Sequence, residues 1–289
     1  MERLVFYGKG GIGKSLVSAN LGIETIGVVK GCSGDPRVAK AMLAGGVAAI
    51  GDSRVSSLKR LRSGGVSDLV MLRQPLRNEV EEVVGLASVS LVSDYSIILK
   101  LSRAAEAAGV SHGIVLMVET GGLREGIMLE EVPEIALKAL GLNNIDLVGL
   151  GTNAGCLSPN GMEPAEEVGF LDEPRLSIQL ELLVRAAERL SATIGRTPRI
   201  VSGGNSMVWK LLVSGRVPAI INQVRIGEAI LLGRETLSQE PVAGVFQDAF
   251  VLESEHPKLG RGWISARLYP QLEYGMRVSL RCRIHRPAR

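Results

Sequence analysis

The amino-acid sequence predicts an α/β chain whose main body is a (β/α)8, or TIM, barrel. Short apolar runs recur eight times along the 289 residues, each followed by a turn and a stretch of helical periodicity. Polar residues gather at the C-terminal ends of these runs, the end at which barrels place their chemistry. The composition is 46% hydrophobic but only 3% aromatic, so the core is aliphatic, as strands buried on both faces require.

The eight expected strands are Thr25–Lys30, Val47–Ser53, Asp68–Gln74, Ala87–Ser93, Gly113–Thr120, Asp146–Asn153, Arg199–Gly203 and Ile220–Gly227. Between them, segments such as DPRVAKAMLAGG, SRVSSLKRLRSGG, SDYSIILKLSRAAEAAG and LELLVRAAERLSATIG carry apolar residues at i, i+3, i+4 and i+7 and close on glycine. Strand–helix alternation specifies a parallel sheet with right-handed crossovers, and eight units close it without an exposed edge. An open doubly wound sheet is the competing reading. Lys30, Asp52, Ser53, Glu119, Thr152, Asn153, Ser202 and Arg225, all at strand ends, favour the barrel. Leu157–Ser177 reads as a long connection after strand six, of the kind that often borders a site.

These elements divide the chain into a leader at 1–25, a barrel at 26–237 and a remnant or divergent C-terminal segment at 238–289. The last stretch is rich in Arg and shows no clear period after Glu255. Net charge is +3, which does not call for nucleic acid. Cys32, Cys156 and Cys282 are too few and too scattered for a disulfide framework or a zinc site, so no metal and a reduced, cytoplasmic setting are expected. No apolar run reaches the roughly 18 residues of a membrane helix, and the N-terminus lacks a signal-peptide pattern.

Lys30 closes the first run. A lysine at the end of a buried strand either snorkels to solvent or serves as an amine whose pKa burial lowers, fit for a Schiff base. Two later turns bear on the choice. Ser202-Gly203-Gly204-Asn205-Ser206 follows strand seven, and Arg225-Ile226-Gly227-Glu228 follows strand eight. Either alone is an ordinary capped turn, but barrels frequently bind phosphate with these two loops, where glycines let backbone N–H groups approach an anion.

The segments VKGCSGDP, GDSR, ETGGLREGI, GLGTN, SGGNS and INQVRIGEAILLGRET resemble the alanine racemase-like, fold-type III enzymes of pyridoxal 5′-phosphate (PLP), most closely their ornithine/alanine racemase branch. The resemblance runs from about Gly27 to about Glu253. It implies a PLP-dependent racemase of small amino acids, with a non-catalytic PLP-binding protein as the alternative, a homodimer possible and no membrane or nucleic-acid partner. It implies that Lys30 forms the internal aldimine and acts as a base, with Arg225 opposite the pyridine nitrogen. Ser206, with the backbone near Gly227 and Glu228, would hold the phosphate beside Ser202, Gly203, Gly204 and Asn205. Arg124 would lie near the phenolic oxygen, and Asn153 would contact the ring; Asp52 and Ser53 would support them. Arg73, Arg124 and Glu119 are candidates to meet substrate. Two-base members take a Tyr from a C-terminal domain of the partner subunit, and neither Tyr269 nor Tyr274 aligns with it.

A second motif stands apart. Gly8-Lys9-Gly10-Gly11-Ile12-Gly13-Lys14-Ser15 matches a P-loop between strand-like LVFY and helical SLVSANLG. Gly8, Gly10, Gly11, Gly13, Lys14 and Ser15 would hold Mg-ATP in that reading. The likeness is to the start of the nitrogenase iron protein and covers only residues 1–22, too little for the parallel sheet a P-loop needs. Phosphate binding or a recombined leader are the alternatives.

Overall fold

A computed structural model describes residues 23–155, 173–242 and 247, with two further strands at 250–255 and 277–282. Eight parallel strands form a closed barrel: β1 (Glu24–Val28), β2 (Ala49–Asp52), β3 (Leu69–Met71), β4 (Val89–Val92), β5 (His112–Met117), β6 (Ile145–Thr152), β7 (Ile200–Gly203) and β8 (Gln223–Ile226). Each strand pairs with the next, and β1 closes against β8 through Ile26↔Arg225 and Gly27↔Ile226. The helices α1 (Pro36–Ala44), α2 (Val55–Ser63), α3 (Val80–Leu86), α4 (Tyr95–Ala108), α5 (Val132–Leu140), α6 (Glu173–Ile194), α7 (Trp209–Val213) and α8 (Glu228–Leu232) follow the strands in turn.

Alternation along the strands divides the core in two. Ile26, Val28, Val70, Leu72, Leu91, Val115, Met117 and Val148 fill the barrel interior. Their neighbours Ile50, Leu69, Met71, Val92, Ile114 and Leu116 pack outward against the helices, including Leu58 and Leu61 of α2 and Ile98 and Leu101 of α4. Each such side chain contributes about 1.5–3 kcal/mol by leaving water. The helices start and stop as their ends require. Asp35 accepts from the backbone N–H of Arg37 ahead of Pro36, Asp94 accepts from that of Ser96, and Gly109 ends α4 at φ 65°.

Register is irregular at one place. Between Ile114 and Val115 the β5–β6 pairing skips Val148, so β6 carries an extra residue there. Two expectations from the sequence need correcting. The first strand ends at Val28, because Val29 leaves the extended region (φ −109°, ψ 18°) and Lys30 opens a 3-10 turn. Glu173–Ser177, expected in the long connection, opens α6. Beyond the barrel, Phe250–Glu255 (β9) and Arg277–Cys282 (β10) pair antiparallel.

At the opposite end of the barrel from the strand C-termini, His112 is buried at the start of β5 and shares a 2.9 Å hydrogen bond with the Ser90 hydroxyl. Burial holds its imidazole pKa down, from 6.5 to about 4. The unfolded chain therefore binds the proton more readily than the folded one between those values. His112 contributes its full stability above pH 6.5, and the contribution is lost as the pH falls towards 4, a difference of about 3 kcal/mol. Urea unfolding at pH 7 and pH 4.5 is expected to show a smaller loss in His112→Asn than in the unsubstituted chain. Equal losses in the two would show that His112 does not carry it.

Candidate active site

Because all eight strands are parallel, the residues that follow them share one mouth. Lys30 stands there on a tight turn. The backbone N–H of Ser33 donates to its carbonyl at 3.2 Å, and that of Gly34 donates to Val29 at 3.1 Å, through consecutive left-handed residues at φ 52° and 65°. The backbone is thus fixed while the side chain is exposed, as in the first of the two alternatives for Lys30, a lysine that reaches solvent at the barrel rim, and not as in the buried one. On the neighbouring strand, Asp52 is wholly buried; one carboxylate oxygen accepts from the Arg54 N–H at 2.9 Å, and burial pushes its pKa up. Burial also pushes the Cys32 thiol up, to about 11, so it is no nucleophile at neutral pH.

The turns after β7 and β8 meet each other and β1. The Gly227 N–H donates to the Ser206 hydroxyl at 3.0 Å, and the Arg225 N–H donates to the Gly204 carbonyl at 3.0 Å. Glycine is required at two points of this junction. A Cβ on Gly227 would come within 2.9 Å of Val28 Cβ and 3.0 Å of its carbonyl, and Gly204 sits at φ 102° against Ala154. Gly203, beside Ile221, and Ser202 are buried, while Asn205 is tied down at both ends of its amide. Its Oδ1 accepts from the Met207 N–H, and its Nδ2 donates to the Ala154 carbonyl, each at 2.9 Å. Glu228 is exposed at the start of α8.

Arg225 is the buried cation of the mouth, 4% exposed. Its guanidinium donates to the Ser202 hydroxyl and the Thr152 carbonyl, both at 2.6 Å, and to Asn153 Oδ1 at 3.2 Å. Asn153 donates in turn from Nδ2 to Glu125 Oε1 at 3.0 Å. Lys30, Asn153, Ser202–Ser206, Arg225, Gly227 and Glu228 therefore belong to one mouth, built on β1, β6, β7 and β8. Arg124 joins it from the loop after β5, where it is exposed.

Other strand-end charges are occupied in holding loops. Arg73 donates to the Ser53 and Gln74 carbonyls and pairs with Glu79 at 2.8 Å, which holds the Glu79 carboxyl below its ordinary range. Glu119 accepts from the N–H groups of Gly121 and Leu123. Glu125 is a site residue that was not expected from the sequence, and its one signal there is its place beside Arg124 in the LREGI segment. The P-loop positions Gly8, Gly10, Gly11, Gly13, Lys14 and Ser15, and both Tyr269 and Tyr274, lie outside the described residues. Among the described residues there is no cluster of three or more metal-ligating side chains, and no helix is long and apolar enough to cross a membrane.

The chain matches the alanine racemase, N-terminal domain family over residues 15–235. It belongs to that family. The match begins at Ser15, the last residue of the P-loop motif, ahead of Gly27. A lysine racemase of Thermotoga maritima is 32% identical over 240 residues, 83% of this chain and 63% of the relative. An ornithine racemase of Acetoanaerobium sticklandii is 31% identical over 263 residues, 88% of this chain and 70% of the relative. The chain thus spans less than two thirds of the lysine racemase's length. Among solved structures, D-threonine aldolase from Filomicrobium marinum aligns with a TM-score of 0.67 at 18% identity over 81% of this chain and 62% of its own. Alanine racemase of Clostridium difficile 630 aligns at 0.59 and 21%, over 78% of this chain and 57% of its own. Both support the alanine racemase barrel as a fold.

Proposed function

We propose that this chain carries PLP on Lys30 and racemises the α-carbon of a small basic amino acid. One observation carries the reading: an exposed lysine amine shares a barrel mouth with a buried guanidinium and two interlocked, glycine-dependent turns. The residues present fit the cofactor. Gly203, Gly204 and Gly227, with the Ser206 hydroxyl, would hold the phosphate; the turns can interlock this closely because Gly227 lacks a Cβ, which would otherwise run into Val28. Arg225 offers donors to a ring nitrogen. The lysine and ornithine racemases among the relatives point to the basic substrate.

When bound, PLP supplies the electron withdrawal that acidifies the α-carbon. The chain's described residues would supply the attachment point and the base on one face; the proton returned to the other face would come from a second donor or from solvent. Lys30 would hold the cofactor through its amine and would offer, at Nζ, a base for the α-proton; its exposed side chain on a fixed turn suits both roles. Arg225 cannot readily release a proton, so an acceptor facing it stays unprotonated, which moderates the electron sink and disfavours competing reactions.

Reductive trapping tests the proposal. Incubation with PLP is expected to give a visible absorbance band that borohydride bleaches, with the adduct mapping to Lys30. Chiral chromatography is expected to show racemisation of lysine or ornithine ahead of alanine and serine. An adduct on another lysine, or none, would refute the assignment. An adduct at Lys30 without turnover of any of the four would make this chain a PLP carrier and refute the racemase.

A further inference from the structure

Resting on the PLP reading, we propose that Glu125 is a positioning residue for Arg225, acting through the side-chain amide of Asn153. The inference starts from the donor and acceptor inventory. A guanidinium has only donors. A carboxylate has only acceptors. The amide of Asn153 has one end of each kind, and it lies between the two. Its Oδ1 accepts from Arg225 at 3.2 Å, and its Nδ2 donates to Glu125 at 3.0 Å. Reversing the amide would set NH2 against guanidinium and carbonyl against carboxylate, so Glu125 selects one orientation of Asn153. That orientation fixes an acceptor at Arg225 on the side away from Ser202 and close to the Thr152 carbonyl, which takes the same terminal nitrogen at 2.6 Å.

The three acceptors named at Arg225 are neutral: a hydroxyl, a backbone carbonyl and an amide oxygen. The carboxylate of this network stands one amide further out. Such an arrangement supports a buried positive charge while spending none of its donors on the carboxylate itself, which suits a cation that must also face a cofactor atom.

Glu125 is itself held firmly. A Cβ on the adjacent Gly126 would come within 2.3 Å of the Glu119 nitrogen, so the loop lies tight on the end of β5. Next to it, the Ile127 N–H donates to the Met117 carbonyl at 2.8 Å, and the Glu119 N–H donates to the Ile127 carbonyl at 2.9 Å. The β5–α5 loop thereby transmits a fixed position to β6 and from there to β8.

The test uses the full chain and two probes: PLP, and pyridoxine 5′-phosphate, which cannot attach to Lys30. Glu125→Ala is expected to weaken pyridoxine 5′-phosphate binding about tenfold and to shift the pH titration of the visible PLP spectrum. Glu125→Gln is expected to stay within about twofold of the unsubstituted chain, because its carbonyl accepts the same Asn153 N–H. In an Arg225→Lys background, Glu125→Ala is expected to add less than about twofold, since the group it positions has been replaced. A full tenfold loss in that background, an unaltered spectrum in Glu125→Ala, or a Gln variant as weak as the Ala variant would overturn the positioning role and leave the PLP reading standing. An unsubstituted chain that neither binds pyridoxine 5′-phosphate nor traps PLP at Lys30 would overturn both.

Discussion

Lys30→Ala is expected to lower racemisation by at least about 10³-fold while leaving the unfolding free energy within about 1 kcal/mol of the unsubstituted chain. Both halves follow from where the residue sits. The backbone of the turn is held by main-chain bonds from Ser33 and Gly34 to the carbonyls of Lys30 and Val29, and alanine keeps those. The side chain is exposed, so its removal opens no cavity in the core. The amine, in contrast, is both the proposed point of attachment and the proposed base. Lys30→Arg sharpens the test, because it keeps the positive charge but not an amine that can attach or release a proton readily. It is expected to be as inactive as Lys30→Ala. Chiral chromatography beside urea unfolding at pH 7 reads both halves. An Arg variant with a tenth or more of the original turnover would reduce Lys30 to an electrostatic role. An Ala variant that unfolds would place Lys30 in the scaffold.

The eight strands were legible because a strand buried on both faces reads as an unbroken apolar run, and here every run is bounded by a turn. The same property hides where a strand stops. Val29 is buried against the helices just as Val28 is buried in the barrel, so TIGVVK shows no break although the backbone turns between them. For that reason the run alone could not decide between the two readings of Lys30, snorkelling or buried. The Ser202–Ser206 and Arg225–Glu228 turns were legible as turns from their glycines, and only their joint position after the last two strands set them apart from ordinary capped turns. The Glu125–Asn153 bond was not. It joins loops 28 residues apart and depends on β6 gaining a residue at Val148, which shifts everything downstream against β5. The β9–β10 pair had a signal in the alternating RVSLRC, masked by the Arg-rich composition around it.

That shift at Val148 makes the next residue critical, and Gly149→Ala is expected to destabilise the fold by about 3 kcal/mol or more. Gly149 pairs with Ile200 across β6 and β7. A Cβ there would come within 1.8 Å of the Ile200 carbonyl oxygen, 2.7 Å of its carbonyl carbon and 3.0 Å of its Cα. All three are backbone atoms, so no rotamer change relieves the contact and the strands themselves must part. In an unconstrained setting the same substitution stabilises by about 0.4–1 kcal/mol, because alanine has fewer unfolded conformations to lose. Gly85 in α3 provides that control: it is exposed, nothing lies within 4 Å of its added Cβ, and Gly85→Ala is expected to raise stability. Urea unfolding of the two variants should therefore move in opposite directions. A Gly149→Ala chain within about 1 kcal/mol of the parent would mean that β6 and β7 yield freely at this point. The consequence reaches the mouth, because β6 goes on from Gly149 to Thr152 and Asn153, which hold Arg225 with Ser202 of β7. Parting the two strands pulls those acceptors apart. Any Gly149→Ala protein that still folds at low temperature is thus expected to bind pyridoxine 5′-phosphate more weakly than the parent, whereas Gly85→Ala is expected to bind it equally well.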